Sequence, residues 1–197
     1  MAMFVGLTAG RRLVLAIVAL LALWPSYAPL RAQVSAEALM ERDDAVLRES
    51  MLAAHNIERR ARGVPPLAWS AELAAHAALS AYRLSAEPDP VAAHGKGGGD
   101  GRHGENLWAG TRDAFAYTEM TKSWLEERAL YVDRPMPDVS RSGNWADVGH
   151  YSQIIWSTTR HVGCALVANL ELDLLVCRYD PPGNILGRSA LTDLAAR

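Results

Sequence analysis

The stretch VGCALVANLELDLLVCRY, residues 162–179, decides the fold. Cys164 and Cys177 lie in two short apolar runs, and the polar stretch around Asn169 separates them. Strand-forming runs on either side of such a break predict an antiparallel β-hairpin. If Cys164 lies opposite Cys177, the centre of the turn falls just after Leu170, which is where the polar break occurs.

The N-terminal segment has the features of a secretory signal peptide. Arg11 and Arg12 precede an apolar run over residues 13–24, and small residues follow up to Ala32. A positive flank, about a dozen apolar residues and a small-residue end are typical of an exported protein, whereas a membrane span needs roughly 20 residues. We expect residues 1–32 to be removed as the signal peptide, and an uncleaved N-terminal anchor is the alternative.

The predicted export has consequences for the expected binding partners and for the oxidation state of the two cysteines. The chain carries a net charge of −2, and the predicted signal peptide contains arginines but no acidic residue, so the exported part is more acidic still. A mildly acidic secreted domain, extracellular or periplasmic, lacks the basic surface that attracts nucleic acid or an anionic membrane. We expect no nucleic-acid partner and no stable membrane span after cleavage, and the sequence leaves the oligomeric state open. In an oxidising compartment Cys164 and Cys177 are expected to form a disulfide, with two buried free thiols as the alternative.

Helical patterns precede the hairpin. Residues 44–62 carry apolar side chains at helical spacing, and Ser70 is placed to cap a second helix that runs towards Leu84. A third helix is predicted from Thr111 through Tyr131, and a weaker helical pattern covers residues 147–156. Helices first and a hairpin last predict an α+β fold in a single domain.

One carboxylate falls on the apolar face of the third predicted helix. At about 100° per residue, that face comprises Asp113, Ala116, Met120, Trp124, Glu127 and Tyr131. The neighbouring Glu126 points elsewhere. A buried, unpaired carboxylate is costly, so it takes up a proton or finds a partner. Glu127 therefore predicts a histidine or a metal ion beside it, and a position at the rim, bonded only to water, is the alternative.

A glycine-rich segment lies between the second and third helices. Residues 95–104 contain six glycines, which indicates a loop, and a short strand is predicted to begin at Glu105. His94 and His103 flank this loop, while His150 starts the fourth helical pattern. Their spacing matches no closed zinc motif, so the fold would have to bring these histidines together.

A series of short patterns follows a fixed order along the chain. They are His55-Asn56-x-x-Arg59, Pro65-Pro66-Leu67-x-Trp69, Gly104-Glu105-Asn106-Leu107, Trp124-x-x-Glu127-x-x-x-Tyr131, Gly149-His150-Tyr151-Ser152-Gln153-Ile154-Ile155-Trp156, Gly163-Cys164-Ala165, and Cys177 through Asn184. The ordered set resembles the CAP superfamily of cysteine-rich secretory, antigen 5 and pathogenesis-related proteins. With one cysteine pair and no cysteine-rich C-terminal module, the chain is similar to the compact bacterial-type members.

This resemblance implies an architecture and domain limits. The expected fold is an α-β-α sandwich, with a small antiparallel sheet between helical layers. The CAP (SCP) domain is expected over residues 50–186, after a lead-in segment over residues 33–49. Residues 187–197 would form a C-terminal tail.

The resemblance also implies a cleft lined by two histidines and two glutamates. Position by position, these are His94, Glu105, Glu127 and His150, and His103 is the rival of His94. Imidazoles and carboxylates facing one cleft suit a divalent cation, above all Zn²⁺.

Two functional hypotheses follow from the resemblance. The first is a secreted binding protein that holds a metal ion and a sterol-like, lipid-like or other extracellular ligand without turnover. The second is a metal-dependent hydrolase that uses ion-bound water, with Glu105 or Glu127 as general base. A shared fold does not fix a reaction, so both an enzyme and a binding protein fit the sequence.

Overall fold

The computed structural model describes residues 43–95 and 101–191 of the chain. The predicted signal peptide and most of the predicted lead-in lie outside the described residues, as does most of the C-terminal tail. The first helix begins at Asp44, inside the segment expected to be a lead-in.

Helices and strands alternate irregularly along the chain. In order they are α1 (Asp44–Ala61), β1 (Ala68–Trp69), α2 (Ala71–Ser85), α3 (Pro90–Gly95), β2 (Gly104–Thr111), α4 (Tyr117–Glu126), α5 (Gly149–Ile154), β3 (His161–Ala168) and β4 (Leu172–Asp180). A 3₁₀ turn, Glu127–Ala129, follows α4, and another, Trp145–Val148, precedes α5. Among the described residues, no helix is both long enough and apolar enough to cross a membrane.

The predicted hairpin forms the centre of a four-stranded sheet with the order β1-β3-β4-β2. Strand β4 pairs antiparallel with β3 on one side and with β2 on the other, and the short β1 runs parallel to the start of β3. Cys164 lies directly opposite Cys177, as predicted, and the two form a disulfide.

Helical layers cover both faces of this sheet. Helix α2 packs on one face, where a Cβ on Gly163 would collide with the α2 backbone. On the other face, the larger apolar core joins the cystine to side chains of α1, α4 and α5, among them Met51, Trp124 and Ile154. The expected α+β fold, an α-β-α sandwich, is confirmed.

The third predicted helix is shorter than the sequence indicated, because its first residues belong elsewhere. Thr111 does not cap it: that residue is the last of β2 and pairs with Leu172. Asp113 then takes a left-handed backbone conformation with φ of 58°. The α-helix starts only at Tyr117, and its final turn tightens into the 3₁₀ turn that carries Glu127. At the start of this segment, pairing between β2 and β4 outweighs the helical pattern.

A buried polar chain crosses the core between the sheet and α1. The Asn106 amide donates to the hydroxyl oxygen of Tyr179 (3.1 Å), and that hydroxyl donates to Nε2 of His55 (2.8 Å). Nδ1 of His55 in turn donates to the carbonyl of Met51 (2.7 Å). His55 is wholly buried. Its two hydrogen bonds replace those that the ring would make with water, so burial leaves neither ring nitrogen unsatisfied.

Arg59 is the second wholly buried polar residue of α1. Its guanidinium donates to the carbonyls of Pro65, Ile154, Trp156 and Thr159, at 2.7 to 2.9 Å. Burial is the main reason that its pKa falls to about 10, and nearby Arg160 lowers it further. These hydrogen bonds connect α1 to the segments around α5.

Candidate functional site

The first histidine–glutamate pair lies between α3 and the start of β2. Nδ1 of His94, near the end of α3, is 2.9 Å from Oε1 of Glu105. The other oxygen of Glu105 lies 2.5 Å from Nε of Arg178 on β4 and accepts a hydrogen bond from Ser80 on α2 at 2.8 Å. His94, the histidine that the family resemblance matched to this position, thus contacts Glu105.

Glu105 is buried and nevertheless ionised. Burial by itself would raise the pKa of this carboxyl, but His94, Arg178 and Ser80 together hold the pKa below its usual value. A carboxylate whose oxygens are occupied in this way is a poor general base, because proton acceptance would break contacts that favour its charge. Arg178, Ser80 and the His94 ring thus occupy both of its oxygens.

The second pair joins the end of α4 to the start of α5. Nδ1 of His150 donates to Oε1 of Glu127 at 2.6 Å, and the backbone N–H of Tyr151 donates to the other oxygen at 2.9 Å. The Glu127 side chain is 17% exposed, whereas that of the adjacent Glu126 is 66% exposed. The ring of Trp124 stacks on that of His150 with centroids 5.8 Å apart. Two contacts on the carboxylate and one aromatic face therefore set the direction of this imidazole.

Two successive residues of β2 contact the elements that carry the two pairs. Glu105 contacts Ser80 of α2, while the next residue, Asn106, donates to the backbone carbonyl of His150 at 3.1 Å. Successive side chains of a strand point to opposite faces, so this contact pattern follows from the strand itself. Within residues 43–95 and 101–191, no three His, Cys, Asp or Glu side chains stand close enough together to hold one metal ion.

Gln153 of α5 holds the neighbouring loops in place. Its side-chain oxygen accepts from the backbone N–H of Gly183 at 2.9 Å, and its amide lies against Gly104, where a Cβ would collide with it. Asn184 donates from its side chain to the carbonyl of Gly149 at 2.8 Å. The Gln153 contact explains the glycine at the start of β2, and a Cβ on Gly149 at the start of α5 would crowd the ring of Trp145 at 3.1 Å.

Two functional neighbours were missed by the sequence reasoning. Arg178 interrupts the apolar run from Leu174 to Tyr179 in a buried strand, a signal that could have marked it as the partner of a buried carboxylate. Ser80 lies within a helix and gave no such signal. A third buried group, Glu58 on α1, accepts from the hydroxyl of Tyr151 at 2.6 Å and pairs with Arg128 at 3.2 Å, which anchors α5 beside the second pair.

Comparison with known proteins agrees with this arrangement. Residues 52–179 match the CAP family, described as the cysteine-rich secretory protein family. Pathogenesis-related protein 1C of Nicotiana tabacum is 34% identical over 142 residues, which cover 72% of this chain and 79% of that protein. The chain therefore belongs to the CAP family.

Solved structures of the same fold agree. The crystal structure of NaASP2 with Zn²⁺ superposes with a TM-score of 0.57 at 23% identity, covering 73% of this chain and 83% of that one. The hookworm platelet inhibitor gives a TM-score of 0.57 at 20% identity, with 76% of each chain covered. At these identities the likeness concerns the fold.

Proposed function

We propose that this chain is a secreted CAP-domain protein that binds a divalent cation, foremost Zn²⁺, through His94 and His150 and does so without turnover. The observation that carries the proposal is the pairing of each imidazole with a glutamate through Nδ1. Export through residues 1–32 and a domain starting near residue 44 belong to the same proposal. The disulfide suits an oxidising compartment.

The direction of each imidazole supports metal binding. Metal-ligating histidines usually donate their other ring N–H to a carboxylate, which fixes the tautomer and raises the basicity of the ligand nitrogen. With Nδ1 turned to Glu105 or Glu127, Nε2 is the nitrogen that would meet an ion. The glutamates thus act as orienting partners rather than as ligands, a narrower role than the sequence suggested.

The donor set fits an exposed ion with incomplete protein coordination. Neutral imidazole is a common Zn²⁺ ligand, and both histidine side chains are partly exposed, at 25% for His94 and 32% for His150. Because no three potential ligands of the described residues converge, water would complete the coordination. The alternative hydrolase would need such water together with a base, and the occupied oxygens of Glu105 favour the binding protein.

Zinc calorimetry of the exported domain at pH 7.5 tests this proposal. We expect His94→Ala and His150→Ala each to weaken Zn²⁺ binding strongly, because each removes a ligand. Glu127→Gln should weaken it about 10- to 100-fold, the usual effect of losing an orienting carboxylate. Glu126→Gln is the matched control, since it makes the same change one residue away at an exposed position.

The possible results of these experiments distinguish the binding protein from the hydrolase. Equal affinities of the wild type and all three site variants would refute the assignment. Turnover of a peptide or ester substrate that is lost on chelation and in Glu127→Gln, in protein that stays folded, would favour the hydrolase instead.

An apolar groove supports the lipid-like ligand as a second component of the proposal. A groove of about 780 Å³ lies between the start of α1 and α2, over β3. Leu47, Leu52, Ala74, Ala78 and Leu166 contribute to its lining. Its size suits a small apolar ligand. We expect Ala78→Trp, which would fill the groove, to reduce binding of a fluorescent fatty acid, and Ala86→Trp, beyond the end of α2, to leave binding unchanged.

A further inference from the structure

A second polar cluster lies at the end of the sheet, beside the start of α2. It surrounds a pocket of about 330 Å³, lined by Ser70, Glu72, Leu73, His103, His161 and Asp180. His76 belongs to the same cluster, because it lies one helical turn after Glu72 on α2. Its ring centroid is 5.5 Å from that of His103.

Sheet register explains why these side chains meet. His161 of β3 pairs with Asp180 of β4. On the other side of β4, the last pair of the ladder is Gly104 with Tyr179, and His103 directly precedes Gly104. His103, His161 and Asp180 all line the pocket at this end of the sheet.

All of these groups share the face of the sheet that α2 covers. Gly163 and Arg178, a cross-strand pair, contact α2 through its backbone and through Ser80 respectively. Side chains two positions apart in a strand share a face, which places His161 and Asp180 on the same side.

The ring of His76 adds a second observation. Its Nδ1 is buried and, within the described part of the chain, has no hydrogen-bond partner. Buried polar atoms in native proteins are nearly always satisfied, and an exception calls for an unseen water or ion. An imidazole nitrogen close to a second imidazole is a good ligand for Zn²⁺, Ni²⁺ or Cu²⁺.

We propose that His76 and His103, with Asp180 or Glu72 as the carboxylate ligand, form a second binding site for a divalent transition-metal cation. This site does not depend on the pairs at His94 and His150. Because no three ligating side chains of the described residues converge as they stand, binding requires side-chain rotation. Glu72 is exposed and His103 only half-buried, and such rotamer changes are fast and inexpensive for accessible side chains.

Zinc stoichiometry, measured by equilibrium dialysis and elemental analysis of the exported domain, tests the proposal. We expect the double variant His94→Ala/His150→Ala to retain about one equivalent of Zn²⁺. Adding His76→Gln and His103→Gln to that background should weaken the remaining binding by about tenfold or more, as expected when ligands are lost. Glutamine keeps hydrogen-bonding capacity and similar size, and an unchanged urea midpoint would show that the fold persists.

The possible results separate this site from the one proposed above. Loss of all zinc in His94→Ala/His150→Ala would overturn the second site and leave the first intact. Equal zinc affinity with and without the two glutamine substitutions would also overturn it. If wild type binds one equivalent that His76→Gln/His103→Gln abolishes and His94→Ala/His150→Ala does not, the second site stands and the first fails.

Discussion

The imidazole of His55 is wholly buried in the core. Its pKa is lowered from 6.5 to about 4, mainly because burial disfavours the charged form; the Met51 carbonyl opposes this fall and Arg59 adds to it. In the folded protein the ring therefore stays neutral at a pH where an unfolded chain would already be protonated.

A loss of stability on mild acidification follows from that difference. Between about pH 6.5 and pH 4 the unfolded state binds a proton that the folded state does not, so the free energy of unfolding falls as pH falls. The contribution of His55 is about 3 kcal/mol across this window. We expect urea unfolding of His55→Gln to show a weaker dependence on pH between 7 and 4.5.

His161→Gln is the control for that measurement, since it removes an exposed histidine at the start of β3. This variant should keep the pH dependence of the wild type. Parallel pH profiles for His55→Gln and the wild type would contradict the assigned shift.

Glu127 shows how much of the candidate site can be predicted from the local sequence. Its place on an apolar face was visible because helical periodicity is local, and this distinguished it from Glu126. Its contact with His150 was not visible, since the two residues lie 23 positions apart and meet only when α5 folds back on α4. The same limit hid Arg178 and Ser80, which reach Glu105 from other elements.

At the scale of elements, the start of β2 fits closely against α5. A Cβ on Gly104 would overlap the side chain of Gln153, which is itself 2% exposed and bonded to Gly183 and Thr159. We expect Gly104→Ala to lower the free energy of unfolding by about 1–3 kcal/mol, the usual cost of overpacking, as measured by urea denaturation.

A double-mutant cycle identifies the cause of that loss. Gln153→Ala removes the obstructing side chain, so Gly104→Ala should cost much less in that background than in the wild type. Additive effects of the two substitutions would show that the glycine matters for another reason.

The hairpin and α4 show why some elements are easier to predict than others. Both strands of the hairpin followed from a local pattern of apolar runs and a polar break. The register followed once Cys164 was placed opposite Cys177, and the disulfide was expected from export to an oxidising compartment. The start of α4 did not, because residues up to Thr111 are held by pairing with β4, some sixty positions later in the chain. Glu127 likewise sits in a 3₁₀ turn that the periodicity represented as α-helix.

At the scale of the whole molecule, the order of the sequence patterns predicted the fold class but did not predict how the strands of the sheet pair. Helices followed by a hairpin indicated α+β, and the CAP resemblance supplied the layers. The parallel addition of β1 and the pairing of β2 with the far side of β4 join distant segments, and a local pattern carries no information about them.

Processing of the N-terminus is the prediction that concerns the entire chain. When the gene is expressed in a host that exports it, we expect the mature protein to begin at Gln33, because a small-residue end follows the apolar run. Intact-mass measurement of the secreted protein checks this. Full-length protein retained in the membrane fraction would instead indicate the uncleaved anchor.

The hydrogen bonds from Arg59 to carbonyls much later in the chain have a consequence for when the domain can fold. Its acceptors at Ile154, Trp156 and Thr159 leave the ribosome about a hundred residues after the guanidinium does, and contacts of such separation form late. A polypeptide threaded through a translocation pore, N-terminus leading, therefore cannot close its core until nearly the whole domain has passed. If the chain is exported as proposed, this late closure would leave it unfolded during transport and let it fold after translocation.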